Sequence, residues 1–162
     1  MRDESNIVFS VFTSVILAGL LFQAANAIEL RVVMPRLLEL CVCYWVLSAP
    51  ARVGIIFAFS VGILISLIEG SLVGAASIGL SVVAYVLLQN IYTIRQLDWI
   101  SQTVVIFLLL GISVALQRVV LAAVGVPSDG LGYLIAVIIS ALLWRAVNVV
   151  IDVARFRIAQ LL

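Results

Sequence analysis

The 162-residue sequence contains no histidine and no lysine; all nine of its basic residues are arginine. Without histidine there is no imidazole base and no ring ligand for a metal. Without lysine there is no Schiff-base amine and no Ser/Lys dyad. No glycine-rich phosphate loop precedes a basic residue either, so the motif that cradles nucleotides is missing. The two cysteines, Cys41 and Cys43, sit at a spacing that points them to opposite sides of a helix. They read as packing residues, since a disulfide needs convergent side chains and a metal needs more ligands. Charge is scarce as well: 10% of residues are charged and the net charge is +1. That leaves no basic footprint for nucleic acid, and neither a cofactor nor an enzymatic activity is expected. Glu39 and Glu69 are the one conceivable acid/base pair, but two acids on separate helices are weak support for such chemistry.

Apolar sequence is present in abundance. Hydrophobic residues make up 65% of the chain and the mean hydropathy is +1.34, where a soluble domain is roughly half apolar. Crossing ~30 Å of hydrocarbon takes about 20 helical residues, so the length suffices for about six spans and no separate soluble domain. Apolar runs bounded by charge, Pro or Gly fall at about 7–25, 35–48, 53–68, 72–89, 100–120 and 131–154. The expectation is an all-α, six-helix membrane bundle forming one integral membrane domain over residues 1–162. Pro35 suits a first helical turn, and Pro50 with Arg52 marks a turn between the short second and third spans, a tight hairpin. There is no internal repeat, linker or low-complexity segment.

Arginine placement sets the orientation, because basic residues stay on the cytoplasmic side of short connections. Arg2, Arg52, Arg95, Arg155 and Arg157 share one side, and Arg31, Arg36 and Arg118 the other, which predicts both termini inside. Trp45, Tyr92 and Trp99 then mark the inner boundary and Tyr133 the outer. A rival reading takes the first span as a secretory signal ending at the triplet Ala25, Asn26, Ala27; Asp3 and Glu4 weaken it by cancelling the positive start.

Gly54, Ala58, Gly62, Ser66, Gly70 and Gly74 form a small-residue series at every fourth position, a slowly winding groove that lets helices approach closely in lipid. It predicts a central third span. Glu69 lies on the same face, and a charge in hydrocarbon needs a partner; Arg118, on a small-residue face of the fifth span, is the candidate. Glu39 has Arg36 three residues before it. On the last span Arg145, Asn148 and Asp152 share a face, so Arg145 can be neutralised locally or by a partner subunit. Structural pairing outweighs a binding role for all these charges.

Pro35 with Leu37 and Leu38, then Tyr44-Trp45-Val46-Leu47, Pro50, Arg52, Phe59, Gly62, Gly70, Gly74 and Ala84-Tyr85 resemble the rod shape-determining protein MreD family. The motif-bearing part covers about residues 33–90; the first and the last two spans match in hydropathy and placement. The resemblance implies a multi-pass protein of the bacterial inner membrane that binds the transmembrane helix of MreC and, through it, MreB, RodA and the elongation transpeptidase, without chemistry of its own. Some family members are similar in fold to six-helix substrate-binding components of vitamin transporters. Two departures stand out. The family usually has an aspartate where this chain has Ser66, and Trp-Pro where it has Trp144-Arg145, so the last helix should be straighter and its inner end more polar. A membrane scaffold is therefore the expected function. The alternative is a small-molecule binding or transport component whose outward polar pocket is lined by Glu39, Glu69 and Arg118; the lack of an inverted repeat counts against it. An anchoring subunit of another complex reads the same by sequence.

Overall fold

The computed structural model describes residues 2–26, 36–125 and 132–161. Among them are seven α-helices and no strand: α1 (Arg2–Asn26), α2 (Leu37–Ser48), α3 (Ile55–Glu69), α4 (Ala75–Gln89), α5 (Ile91–Gln96), α6 (Trp99–Ala123) and α7 (Gly132–Leu161). One helix more than the sequence reading is present, because the connection after the fourth apolar run is itself helical. Asn90 ends α4, with its backbone N–H and side-chain amide both donating to the Val86 carbonyl, and α5 then buries Ile91 and Ile94 while Tyr92 stays exposed. Pro35 lies outside the described residues.

The helices fall into two length classes. At 1.5 Å per residue α2 spans about 18 Å and α3 and α4 about 22 Å each, less than the ~30 Å of a bilayer core. Two helical stretches, Trp99–Ala123 and Leu134–Val153, are long and apolar enough to cross a membrane. Of the short helices, α2 is the one wholly inside. Every residue of α2 from Leu38 to Leu47 is buried, as expected of a helix that is apolar all round. It packs against α1, α3, α4 and α7, and α4 in turn against α3 and α6. A central third span is thus corrected: α3 sits at the edge, with Ile55, Ile56, Phe59, Leu64 and Leu67 exposed. Its packing is mainly with α4; the contact with α2 is slight, so the expected tight α2/α3 hairpin splays.

The turns follow from local chemistry. Arg52 N–H donates to the Ala49 carbonyl at 3.1 Å, closing a turn with Pro50 in its second position, where a fixed φ costs nothing. At the other end of α3 the chain reverses at Gly70 (φ 63°) and again at Gly74 (φ 96°), conformations that side-chain-bearing residues avoid. Ser71 N–H reaches back to the Ser66 carbonyl at 3.0 Å, the long bond of a glycine-terminated helix end. Beyond α6, the last helix α7 runs unbroken through Trp144 and Arg145.

Candidate functional site

The polar side chains inside this apolar bundle gather where the starts of α2 and α4, the end of α3, the last third of α6 and the first third of α7 meet. Arg36, just before α2, places its backbone N–H on Ser140 Oγ at 2.7 Å, and Ser140 Oγ donates to the Ala136 carbonyl at 2.6 Å. The Arg36 guanidinium forms an ion pair with Glu39 one turn on and donates to Gln117 Oε1 at 3.2 Å. Gln117 Nε2 then donates to Glu69 Oε2 at 3.1 Å. One arginine and one neutral amide thus bridge two carboxylates across three helices, α2, α6 and α3. Glu39 is 1% exposed and Gln117 3% exposed, so these bonds act in a medium of low dielectric where each is strong and each loss is costly. Glu39 Oε2 has no hydrogen-bond partner and is buried.

Gln117 and Ser140 escaped the sequence reading. A glutamine within an apolar span was the available signal, standing one position before the Arg118 that was singled out. Arg118 itself is half-buried on α6.

Deeper tethers cross the other half of the bundle. Trp45 is fully buried, and its Nε1–H donates to Ser14 Oγ on α1 at 2.7 Å. Tyr44 donates its hydroxyl to Asp152 on α7. Asp152 is therefore engaged by α2, while Arg145 is exposed on the outside of α7; local neutralisation of Arg145 by this acid does not occur. Trp144 Nε1–H donates to Gln102 Oε1 on α6 at 3.3 Å. Arg95 of α5 donates to the last carbonyls of α2, Leu47 at 2.8 Å and Ser48 at 3.2 Å, where a cation complements both the unpaired acceptors and the helix dipole. Arg95→Ala should therefore loosen α2 by about 0.5–1 kcal/mol after allowance for the exposure of Arg95, read as a small drop in thermal stability in mild detergent.

The small-residue series divides in three. Ala58, Gly62 and Ser66 are buried, and a Cβ on Gly62 would lie 2.4 Å from Ser77 Cα, so this part of the groove is filled by α4 of the same chain. Gly70 and Gly74 serve the turn, and Gly54 flanks the start of α3 with open space around it. Ser66 Oγ accepts from Ala76 N–H at 3.4 Å, in the first turn of α4, supplying the cap that Gly74 lacks a side chain to provide. Pro50 and Arg52 lie in the α2/α3 turn, and Tyr85 is exposed on α4.

A groove of about 430 Å³ opens between α1, α2 and α7, lined by Leu17, Leu37, Cys41, Trp45 and Val147 among others. Two of its hydroxyls are already engaged: Thr13 and Ser14 donate to carbonyls of their own helix at 3.1 and 2.9 Å. Glu39, Glu69 and Arg118 do not line it. Both cysteines are free thiols, and no group of ligating residues able to hold a metal occurs among the described residues.

The exterior completes the class. Large apolar side chains stand exposed along α1, α3, α4, α6 and α7, Ile56 at 84% and Leu142 at 74% among them, far more than a soluble monomer leaves in water. Apolar over most of its exterior, with its buried polar groups tied largely to one another, this is a membrane-embedded helical bundle. The family model of rod shape-determining protein MreD matches residues 3–152, and the chain belongs to that family. A rod shape-determining protein MreD from Haemophilus influenzae is 29% identical over 99 residues, covering 60% of this chain and 61% of the relative's length. No solved structure matches the chain.

Proposed function

We propose that this chain is a non-catalytic scaffold of the bacterial elongation machinery, a multi-pass inner-membrane protein with both termini inside. It binds the transmembrane helix of MreC and through it supports lateral wall synthesis by the MreB, RodA and transpeptidase assembly. The observation that carries the reading is the family match across residues 3–152. Its mechanism is helix packing in the bilayer, with buried charges setting register because a misaligned ion goes unpaired in lipid. Since α4 fills the middle of the small-residue groove, the partner helix has to use another face. Copurification of the full chain with MreC in mild detergent, together with loss of rod shape on depletion, is the expected result; absence of both refutes the scaffold.

We also propose that Glu69 pairs with Arg118 beside the Gln117 bond. Glu69→Arg combined with Arg118→Glu should then be tolerated better than either single change, measured as membrane levels of folded protein. Equal loss in all three rules the pair out. Small-molecule binding is the second reading, favoured only by the groove between α1, α2 and α7. Its apolar lining suits an apolar ligand, not the polar one expected for a pocket of carboxylates.

A further inference from the structure

Arg145 makes no hydrogen bond or ion pair among the described residues, and it is exposed on the outward face of α7. It stands in the same face as Ile135, Ile138, Leu142, Val149 and Phe156, exposed by 49, 49, 74, 48 and 67% respectively. The steps of three and four from Ile135 to Val149, with Asp152 three residues further and Phe156 four beyond it, are those of a helix–helix seam, and they continue for about 30 Å. We propose that this face is an intramembrane docking surface for a partner helix that carries a carboxylate to the depth of Arg145. The inference rests on α7 spanning the bilayer, as the apolar stretch Leu134–Val153 and the family assignment support.

Depth and charge select the occupant. Arg145 lies about 17 Å along the axis from Leu134 and about 12 Å from Val153, further than one extended arginine side chain reaches towards either end. A bare guanidinium there is costly. Among the described acids, Asp152 is about 10 Å further along α7 and holds the Tyr44 hydroxyl, Glu39 and Glu69 are tied into the Arg36 and Gln117 network, and Asp98 is exposed just before α6. Asn148, between Arg145 and Asp152, is neutral. A second copy in the same orientation sets Arg145 against Arg145 at equal depth, a like-charge contact that opposes self-docking on this face. A lipid phosphate stays at the headgroup level. What matches is an apolar helix with Asp or Glu near its middle, and a single polar position in such a seam also selects the register.

The test uses the full chain in nanodiscs with a fluorescent model peptide, a Leu/Ala transmembrane helix bearing one central Glu, against the same peptide with Leu there. Energy transfer should report at least about tenfold tighter association of the Glu peptide, a difference of about 1.4 kcal/mol. Arg145→Leu should erase the preference and Arg145→Lys should keep most of it. A spin label at Leu142→Cys, read for depth, separates the two ways to fail. A label in hydrocarbon with no preference for the Glu peptide overturns the docking surface alone, whereas a label in water overturns it together with the span it rests on. Loss of the preference when phosphatidylglycerol is added assigns Arg145 to lipid, and Arg145-dependent energy transfer between labelled copies without peptide assigns it to self-association; either overturns the proposal.

Discussion

Gly62→Ala should destabilise the bundle by about 1–3 kcal/mol, the usual cost of overpacking a close contact. The added Cβ would meet Ser77 Cα at 2.4 Å and Ser77 N at 2.7 Å, and these are backbone atoms that cannot swing aside. Only a separation of α3 from α4 makes room. Gly79→Ala should behave alike, because its Cβ would fall 2.6 Å from the Ser113 carbonyl oxygen on α6. Gly111→Ala is the contrast: nothing lies within 4 Å of the new methyl, so the helix should gain about 0.5–1 kcal/mol from the lower flexibility of alanine. Thermal stability of the detergent-solubilised variants, followed by size exclusion, checks the sign of all three. Equal effects at residues 62 and 111 would show that the close α3–α4 approach is absent.

The larger loss is expected from Arg36→Leu. It strands Glu39 as a buried carboxylate whose second oxygen already lacks a partner, and it removes a donor from Gln117. Breaking one side of a buried ion pair costs about 3–5 kcal/mol, since the remaining charge has neither solvent nor counter-ion. The double variant Arg36→Leu with Glu39→Leu should recover most of that, because two apolar side chains need no compensation in the same space. Yield of monodisperse protein and its midpoint of thermal unfolding measure both. Failure of the double variant to recover would mean that the network acts through Gln117 and Ser140 more than through the ion pair.

These two experiments also mark where sequence reading reaches. Helix positions were legible because apolar runs end where Pro, Gly and charge begin; α7, for example, runs Gly132–Leu161 where the pattern placed a span at about 131–154. The short α5 was not, since six residues carry too little periodicity to stand out from a loop. The pairing of Glu39 with Arg36 was readable from their i,i+3 spacing. The bridge through Gln117 was not, because residues 81 positions apart in the chain meet only after α2 and α6 are placed.

Composition and spacing alone determined that this is an apolar, helix-forming chain without histidine or lysine, with few charges that each demand an explanation in lipid. Only the tertiary structure decided what those residues face. Six small residues in one register looked like one contact surface, but helix ends intervene: Gly70 and Gly74 are needed for positive φ, and only Ala58, Gly62 and Ser66 are sealed in the bundle. Trp45 was drawn inside and Arg145 left outside for the same reason. A helical period states which residues share a face, and the packing of the other helices states what that face meets.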